Sequence, residues 1–206
     1  MAGSPMRAGA LIAVVGPSGA GKDSLINAAR ELYRGDPRIG FVTRVITRPA
    51  DGQTEDHAPA TEAGFDRLDR DGRFAVSWYA HGLRYGIPAE TRDEIAAGRV
   101  LIANGSRAAL PALAEAYPSL AIIEITARPD VIAERLAGRG RESVEAIALR
   151  LARDAGDWRP DCPHLLIDNS GSLPESCERF FAAIESFLPP QSDTNPTSRH
   201  GSRPVS

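Results

Sequence analysis

An uninterrupted apolar run leads directly into a glycine-rich segment near the start of the chain. The run Ala10 to Val15 reads ALIAVV, and GPSGAGKDSL follows it over residues 16–25. A short apolar run that ends at a glycine is typical of a strand buried on both faces of a parallel sheet. Apolar residues at helical spacing follow from Ser24 to Tyr33. The segment therefore predicts a strand, a tight glycine turn and a helix, which is an α/β arrangement.

Strand-like and helix-like segments alternate through the rest of the chain. Further buried strands are expected at residues 41–46, 100–103, 120–126 and 165–168, and helices at 90–97, 107–116, 129–137, 144–156 and 174–188. Such alternation predicts a doubly wound parallel sheet with helices on both faces. Residues 47–89 are polar, and residues 128–156 carry many arginines. We expect these two segments to be insertions around a site rather than parts of the core.

Bulk properties exclude several classes of protein. The 206 residues carry a formal net charge of -3, so no overall basic field indicates a nucleic acid as partner. No apolar run reaches the length of a membrane span, and we expect neither a membrane partner nor a signal peptide. Two cysteines, Cys162 and Cys177, match no zinc spacing and no disulfide scaffold, which favours reduced thiols in a cytoplasmic protein. Residues 1–9 are expected to be flexible and residues 189–206 disordered.

The glycine-rich segment matches the phosphate-binding loop G-x-x-x-x-G-K-[ST] at every position except the last. In such a loop, backbone N–H groups surround phosphate at a helix N-terminus, the lysine reaches the outer phosphates, and the hydroxyl holds Mg²⁺. The flanking strand and helix favour this interpretation over a glycine turn that contains a lysine by chance. The residues predicted to bind ATP are Gly16, Pro17, Ser18, Gly19, Ala20, Gly21, Lys22, Asp23 and Ser24.

Asp23 stands where the pattern requires Ser or Thr, and two interpretations are open. As an acid in the first helical turn it would complement the helix dipole, and the loop would then bind phosphate weakly or not at all. Alternatively its carboxylate is a ligand of Mg²⁺, which prefers hard oxygen ligands and would offset the repulsion between Asp23 and a triphosphate. We favour the metal ligand, and Ser24 still offers a hydroxyl nearby.

Four further segments resemble, in order, the guanylate-kinase-like branch of the P-loop kinases. They are Thr47-Arg48 in VITRP, the segment from Gly72 to Gly86, the segment from Arg135 to Leu151, and HLLIDN at 164–169, whose Asn169 falls near the nucleotide. The resemblance covers most of residues 10–188. It implies a P-loop NTPase fold, a parallel sheet flanked by helices, with an acceptor-binding insertion at about 44–90 and an arginine-rich helical lid at about 128–156.

The same resemblance implies roles for individual residues. Arg48 and Tyr85 would hold the acceptor phosphate. Lys22 would act together with the lid arginines Arg139 and Arg150 as the catalytic groups, because phosphoryl transfer depends on positioning and on neutralising charge. An acceptor phosphate is already ionised at neutral pH, so no general base is expected.

Departures from the guanylate kinases are concentrated on the acceptor side. Val76 stands where a glutamate reads guanine, and Asn104 and Ser106 replace an acidic pair. Cations appear nearby instead, at Arg44, Arg84 and Arg107. A site that loses its hydrogen-bond acceptors no longer discriminates strongly for guanine, whereas added arginines favour phosphate. The acceptor is therefore expected to carry a second phosphate in place of a base, as a sugar bisphosphate does.

A closer similarity is to the ribose 1,5-bisphosphate phosphokinase (PhnN) family, in which the Asp after the loop lysine is expected. The segments that carry it are GPSGAGKDSL, TRP, EDH, FAVSWYAHGLRYG, NGSRAALP, RGRE and RLAR. The resemblance implies transfer of the γ-phosphoryl group of ATP, with Mg²⁺, to the 1-phosphate of ribose 1,5-bisphosphate, and a link to phosphonate breakdown. The implied acceptor-binding residues are Arg44, Arg48, His57, Tyr85, Asn104, Ser106 and Arg107. The roles of His57, Arg135 and Arg141 stay open.

The sequence is also compatible with two other classes of protein. One is a nucleoside monophosphate kinase with unusual base reading, and the other is a non-catalytic binding module that kept the guanylate kinase fold. Lys22, Arg139 and Arg150 argue against the binding module, while Val76 and Asn104 argue against guanine as the acceptor. The sequence is compatible with a homodimer as well.

Overall fold

A parallel five-stranded sheet forms the centre of the protein, which a computed structural model describes at residues 9–49, 57–80, 82–137 and 161–188. Its strands are β1 (Ala10–Val15), β2 (Ile39–Phe41), β7 (Val100–Asn104), β8 (Leu120–Thr126) and β9 (His164–Asp168). The order across the sheet is β2-β7-β1-β8-β9, and every pairing is parallel. The predicted P-loop NTPase fold is thereby confirmed.

A second sheet of four strands is inserted between β2 and β7. Its strands are β3 (Arg44–Ile46), β4 (His57–Pro59), β5 (Phe74–Ala80) and β6 (Leu83–Pro88), in the order β4-β3-β6-β5. The prediction of one strand over residues 41–46 is wrong, because the chain leaves the first sheet after Phe41 and enters the second at Arg44. The polar residues Thr43 and Arg44 interrupt the apolar run at this crossing.

Six helices flank the sheets within the described residues. They are α1 (Lys22–Leu32), α2 (Glu62–Arg70), α3 (Thr91–Ala96), α4 (Leu110–Ala116), α5 (Pro129–Ala137) and α6 (Leu173–Glu185). The helix expected at 107–116 begins as a short 3-10 turn, Arg107–Ala109, because Pro111 restricts the first turn of α4. The helix expected at 144–156, and with it Arg139, Arg141 and Arg150, lies outside the described residues.

The parallel sheet carries a hydrophobic core on each face. On one face Leu25 of α1 and Phe180 of α6 pack against alternate strand residues. On the other face, apolar residues of α3 and α4 pack against the sheet together with Val76 and Ile87 of the four-stranded sheet. The expectation that residues 47–89 lie apart from the core is therefore wrong for these two residues. Strands bury alternate side chains, so a segment that is polar overall still supplies core positions.

Gly16 is the residue at which β1 turns into the loop, and its backbone requires glycine. Its φ is +139°, and a Cβ atom there would overlap the carbonyl oxygen of Ile125 in β8. We expect Gly16→Ala to lower the free energy of unfolding by about 3 kcal/mol, measured by urea denaturation, because backbone must move to relieve the overlap.

Gly35→Ala is the matched control for this substitution. Gly35 also has a positive φ, +85°, but nothing lies within 4 Å of an added Cβ. We expect it to lose only about 1 kcal/mol, the usual cost of a left-handed conformation for a residue with a Cβ. Equal losses in the two variants would exclude the Ile125 contact as the cause.

Candidate active site

The residues of the predicted phosphate loop lie together between β1 and the first turn of α1. Gly21 has a left-handed conformation, with φ of 93°, and caps the N-terminus of α1, which begins at Lys22. The Lys22 ammonium group donates hydrogen bonds to the carbonyl oxygens of Gly16, at 2.8 Å, and Pro17, at 3.0 Å. The lysine side chain therefore folds back over the loop instead of extending along the helix surface. The positive charge of Lys22 therefore lies beside the backbone at the start of the loop.

The end of β9 and helix α5 support the loop from its other side. Asn169 is only 2% exposed, and its amide nitrogen donates to the carbonyl oxygen of Ala20 at 2.7 Å. Arg135 donates to the carbonyl oxygens of Asn169, at 2.9 Å, and Ala20, at 3.4 Å. A Cβ atom at Gly21 would overlap the Asn169 amide. Arg135, whose role the sequence left open, is thus a structural support of the loop.

Asp168, the last residue of β9, carries its own anchoring contacts beside Asn169. The side chain of Ser170 and its backbone N–H both donate to the Asp168 carboxylate. The side-chain hydrogen bond is the largest cause that lowers the pKa of Asp168, so this exposed carboxylate stays ionised. The turn after β9 is held in this way, and it fixes the position from which Asn169 reaches the loop.

Asp23 and Asn104 meet at the C-terminal edge of the sheet. Asp23 lies in the first turn of α1, Asn104 is the last residue of β7, and the Asn104 amide nitrogen donates to Asp23 Oδ1 at 2.7 Å. The sequence assigned Asp23 to metal and Asn104 to the acceptor, but the structure brings the two side chains together. Their oxygens are hard donors of the kind Mg²⁺ prefers.

The predicted metal site would depend on a single carboxylate, that of Asp23. Across residues 9–49, 57–80, 82–137 and 161–188, no group of three or more His, Cys, Asp or Glu residues is arranged to hold a metal ion. Mg²⁺ in kinases is commonly bound through one or two carboxylates together with substrate phosphates and water, rather than by a cage of protein ligands. Asp23 beside the phosphate loop fits Mg²⁺ of this kind.

Arg44 lies against two stacked aromatic rings of the four-stranded sheet. It is 5% exposed, and its guanidinium carbon lies 5.1 Å from the ring centre of Tyr85 and 5.8 Å from that of Trp78. The rings of Trp78 and Tyr85 are themselves stacked, with centroids 5.3 Å apart and an interplanar angle of 10°. A guanidinium over aromatic faces is both attracted and fixed in direction. Two of the predicted acceptor residues, Arg44 and Tyr85, thus form one cluster with Trp78.

His57 lies beside the segment that carries Arg48. Strand β4 pairs with β3 so that His57 is opposite Arg44, and His57 is 7% exposed. Its Nε2 atom lies 3.3 Å from the carbonyl oxygen of Arg48. The histidine, whose role the sequence left open, therefore braces the backbone at Arg48.

Arg107 and Ser106 lie in the turn that follows β7. Ser106 caps the 3-10 turn, with its hydroxyl oxygen 3.3 Å from the Ala108 backbone N–H that donates to it. Arg107 Nε lies 3.0 Å from Oε1 of Glu124 in β8, and the other carboxylate oxygen of Glu124 lies 3.0 Å from Nε2 of His164 in β9. The Arg107 side chain thus reaches across the end of β1 toward β8 and β9.

Sequence reasoning missed Glu124. The only sign of it in the sequence is one carboxylate within the otherwise uncharged strand LAIIEIT. A charged residue among buried apolar neighbours is costly unless it is paired, and here two basic side chains supply the pairing. Glu124 therefore fixes the direction of Arg107.

Arg84 does not join the acceptor cluster. It forms ion pairs with Asp66, with Asp69 at 3.4 Å and with Glu62 at 3.8 Å, all on α2, and lies 4.3 Å from the ring centre of Phe65. The hydrogen bond to Asp66 is the largest cause that raises the pKa of the Arg84 guanidinium. Arg84 thus attaches helix α2 to the four-stranded sheet.

A phosphate loop on a parallel sheet, with a four-stranded sheet inserted after its second strand, defines a P-loop kinase of the guanylate kinase fold. The crystal structure of guanylate kinase from Anaplasma phagocytophilum matches with a TM-score of 0.63 and 18% identity, over 87% of this chain and 86% of that chain. A gluconokinase from Sinorhizobium meliloti matches with a TM-score of 0.51 and 18% identity, over 87% and 93% of the two chains. At these identities the likeness shows the fold alone.

Curated relatives give a narrower assignment. Proteins named ribose 1,5-bisphosphate phosphokinase PhnN are 51% identical in Brucella melitensis, over 84% of this chain and 90% of the relative, and 43% identical in Rhizobium etli, over 90% and 94%. The relative of that name in Burkholderia pseudomallei is 46% identical, over 87% and 97%. This chain belongs to the ribose 1,5-bisphosphate phosphokinase PhnN family. A scan against protein-family models finds no match.

Proposed function

We propose that this protein transfers the γ-phosphoryl group of ATP to the 1-phosphate of ribose 1,5-bisphosphate, giving 5-phosphoribosyl 1-diphosphate and ADP, as a step linked to phosphonate breakdown. Its family membership supports this reaction. The structural observation that carries it is that two positions expected to read a base do not do so here. Val76 is 6% exposed and packs in the core shared with α4, and the Asn104 amide donates a hydrogen bond to Asp23. Arg44 lies on the acceptor side instead.

In the proposed reaction, the phosphate loop binds the phosphoryl donor, ATP. Its backbone N–H groups and Lys22 bind the phosphates of ATP, and the loop is held in shape by Asn169 and Arg135. Asp23 would hold Mg²⁺, which when bound neutralises charge on the phosphates. Because Asn169 and Arg135 hold the loop in shape, its donors need little reorganisation as charge develops on the transferred group.

The acceptor half is built from arginines with fixed directions. Arg48 and Tyr85 bind the 1-phosphate, and Arg44 and Arg107 face the ribose and the 5-phosphate. Arg44 is oriented by its aromatic neighbours and Arg107 by Glu124. The reacting oxygen belongs to an ionised phosphate, so the protein orients it rather than deprotonating it. The lid residues Arg139 and Arg150 complete the proposed site from outside the described residues.

The reaction is proposed to take place in the cytoplasm, where ATP is available. Both cysteines, Cys162 and Cys177, are free thiols, which supports a reducing compartment. None of the helices in the described part of the chain is long and apolar enough to cross a membrane.

A direct assay tests the proposed reaction. Purified protein is given Mg-ATP with either ribose 1,5-bisphosphate or GMP, and the phosphorus NMR spectrum is followed over time. We expect a new diphosphate signal with ribose 1,5-bisphosphate, together with ADP, and no turnover of GMP. Turnover of GMP alone would assign the protein to the nucleoside monophosphate kinases. No turnover of either acceptor would favour a non-catalytic binding module.

A further inference from the structure

Asp23 and Asn104 occupy two positions that P-loop enzymes ordinarily fill with other residues. The position after the loop lysine ordinarily holds a Ser or Thr, and a second position, at the end of a neighbouring strand, holds an Asp; the two share Mg²⁺. Asn104 is the last residue of β7 and is opposite Val14 of β1, directly beside the loop. Here a carboxylate stands where the hydroxyl is usual, and an amide where the carboxylate is usual.

The contact between the two side chains has a defined direction. An ionised carboxylate only accepts hydrogen bonds, so the amide nitrogen of Asn104, at 2.7 Å, must be the group that faces Asp23. The parallel pairing of β7 with β1 fixes the position of Asn104 relative to the loop. The amide therefore holds one carboxylate oxygen of Asp23, as a residue next to a metal ligand commonly does.

The charge of the site is preserved by this arrangement. A hydroxyl with a carboxylate carries one negative charge, and a carboxylate with an amide carries the same charge. The charge has moved from the strand to the first turn of α1, where the helix dipole favours an acid. The attraction for a divalent cation is thus retained, although neither position holds its usual residue.

We propose that Asp23 and Asn104 are a reciprocal exchange of the usual metal-site pair. Asp23 is the carboxylate ligand of Mg²⁺, and Asn104 is a positioning residue that holds this carboxylate rather than a residue that binds the acceptor. The inference rests on the proposed function only in requiring metal-dependent nucleotide binding. Recognition of the acceptor is then left to the arginines and to Tyr85.

The test is a double-mutant cycle with nucleotide binding as its readout. The affinity of the full chain for ADP is measured by calorimetry with and without Mg²⁺, and the ratio of the two affinities is the metal enhancement. We expect Asp23→Ser to reduce this enhancement by about 10- to 100-fold, the range found when groups that support a bound metal are removed. Adding Asn104→Asp to Asp23→Ser restores the usual pair, and we expect it to recover at least about tenfold. No recovery in the double variant would overturn the exchange.

A second variant separates the two roles of Asn104. With Asn104→Ala the metal enhancement is expected to fall by about tenfold, while the KM for ribose 1,5-bisphosphate stays within about twofold. A raised KM with an unchanged enhancement would return Asn104 to the acceptor site and overturn the proposal. If Asp23→Ser does not fold, Asp23→Asn replaces it as the single variant. Combining Asp23→Asn with Asn104→Asp then exchanges the two residues without changing the composition. We expect the double variant to recover the metal enhancement by at least about tenfold relative to Asp23→Asn alone.

Asp93→Ser is the matched control. Asp93 is an exposed acid in the first turn of α3, so the substitution removes the same charge from the first turn of another helix, away from the loop. We expect its metal enhancement to be unchanged. Because the cycle contains no acceptor, a protein that fails to use ribose 1,5-bisphosphate would still show the recovery if the exchange is correct. Failure of the cycle in a protein that makes 5-phosphoribosyl 1-diphosphate would refute the exchange alone.

Discussion

Lys22→Met is expected to reduce kcat by about 10³-fold, the loss seen when one group that stabilises the transferring charge is removed. Methionine keeps the unbranched apolar stem but removes the ammonium group, which lies 2.8 Å from the Gly16 carbonyl oxygen and 3.0 Å from that of Pro17. Loss of these bonds should lower the free energy of unfolding by only about 1 kcal/mol. Single-turnover kinetics with Mg-ATP and ribose 1,5-bisphosphate measures the first effect, and urea denaturation the second.

Chemical labelling gives an independent measurement of whether Lys22 contacts the nucleotide. Lys22 is the only lysine in the sequence. An amine-reactive reagent can therefore modify only this side chain and the N-terminal amino group, which serves as an internal control. We expect Mg-ATP to protect Lys22 and not the N-terminus, as measured by mass spectrometry of peptides. Equal labelling of Lys22 with and without nucleotide, or a Lys22→Met rate within tenfold of the unmodified protein, would remove Lys22 from the phosphate site.

Arg107→Ala is expected to raise the KM for ribose 1,5-bisphosphate by about 30- to 100-fold, because charge-assisted hydrogen bonds to a phosphate contribute about 2 to 3 kcal/mol. The substitution also leaves the Glu124 carboxylate without its Arg107 ion pair, which adds repulsion toward an anionic acceptor. The KM for ATP should stay within about twofold, since Arg107 follows β7 and is not part of the loop. Steady-state kinetics with each substrate varied in turn gives both values.

Two further variants isolate the cause of the Arg107 effect. Arg107→Ala combined with Glu124→Gln removes the uncompensated carboxylate, so any acceptor KM that it recovers measures the repulsion from Glu124. Arg73→Ala is the control, since Arg73 is also an ion-paired arginine, but its partner is the exposed Glu90. It should change neither KM. Unchanged kinetics in Arg107→Ala would exclude Arg107 from the acceptor site.

The phosphate loop and the class of fold were predictable because their determinants are local. The apolar run Ala10 to Val15, the glycines after it and Lys22 are adjacent in the chain, and strand β8 occurs at the predicted residues 120–126. Glycine is specified by backbone geometry at the loop itself, and buried parallel strands have a continuous apolar pattern. The prediction of one strand over residues 41–46 was wrong because the point at which the chain changes from one sheet to the other is not marked by a continuous apolar pattern.

The partners of the site residues were decided by the tertiary structure. Asn104 and Asp23 are separated by 81 positions, and the register of β7 against β1 brings them together. The pairing of Glu124 with Arg107 likewise depends on β8 lying beside β1. The sequence alone determined which chemical groups this protein has and that they flank a phosphate loop. Only the packing of distant strands decided which groups touch, because strand order and register are set by burial across the whole sheet and not by any short stretch of residues.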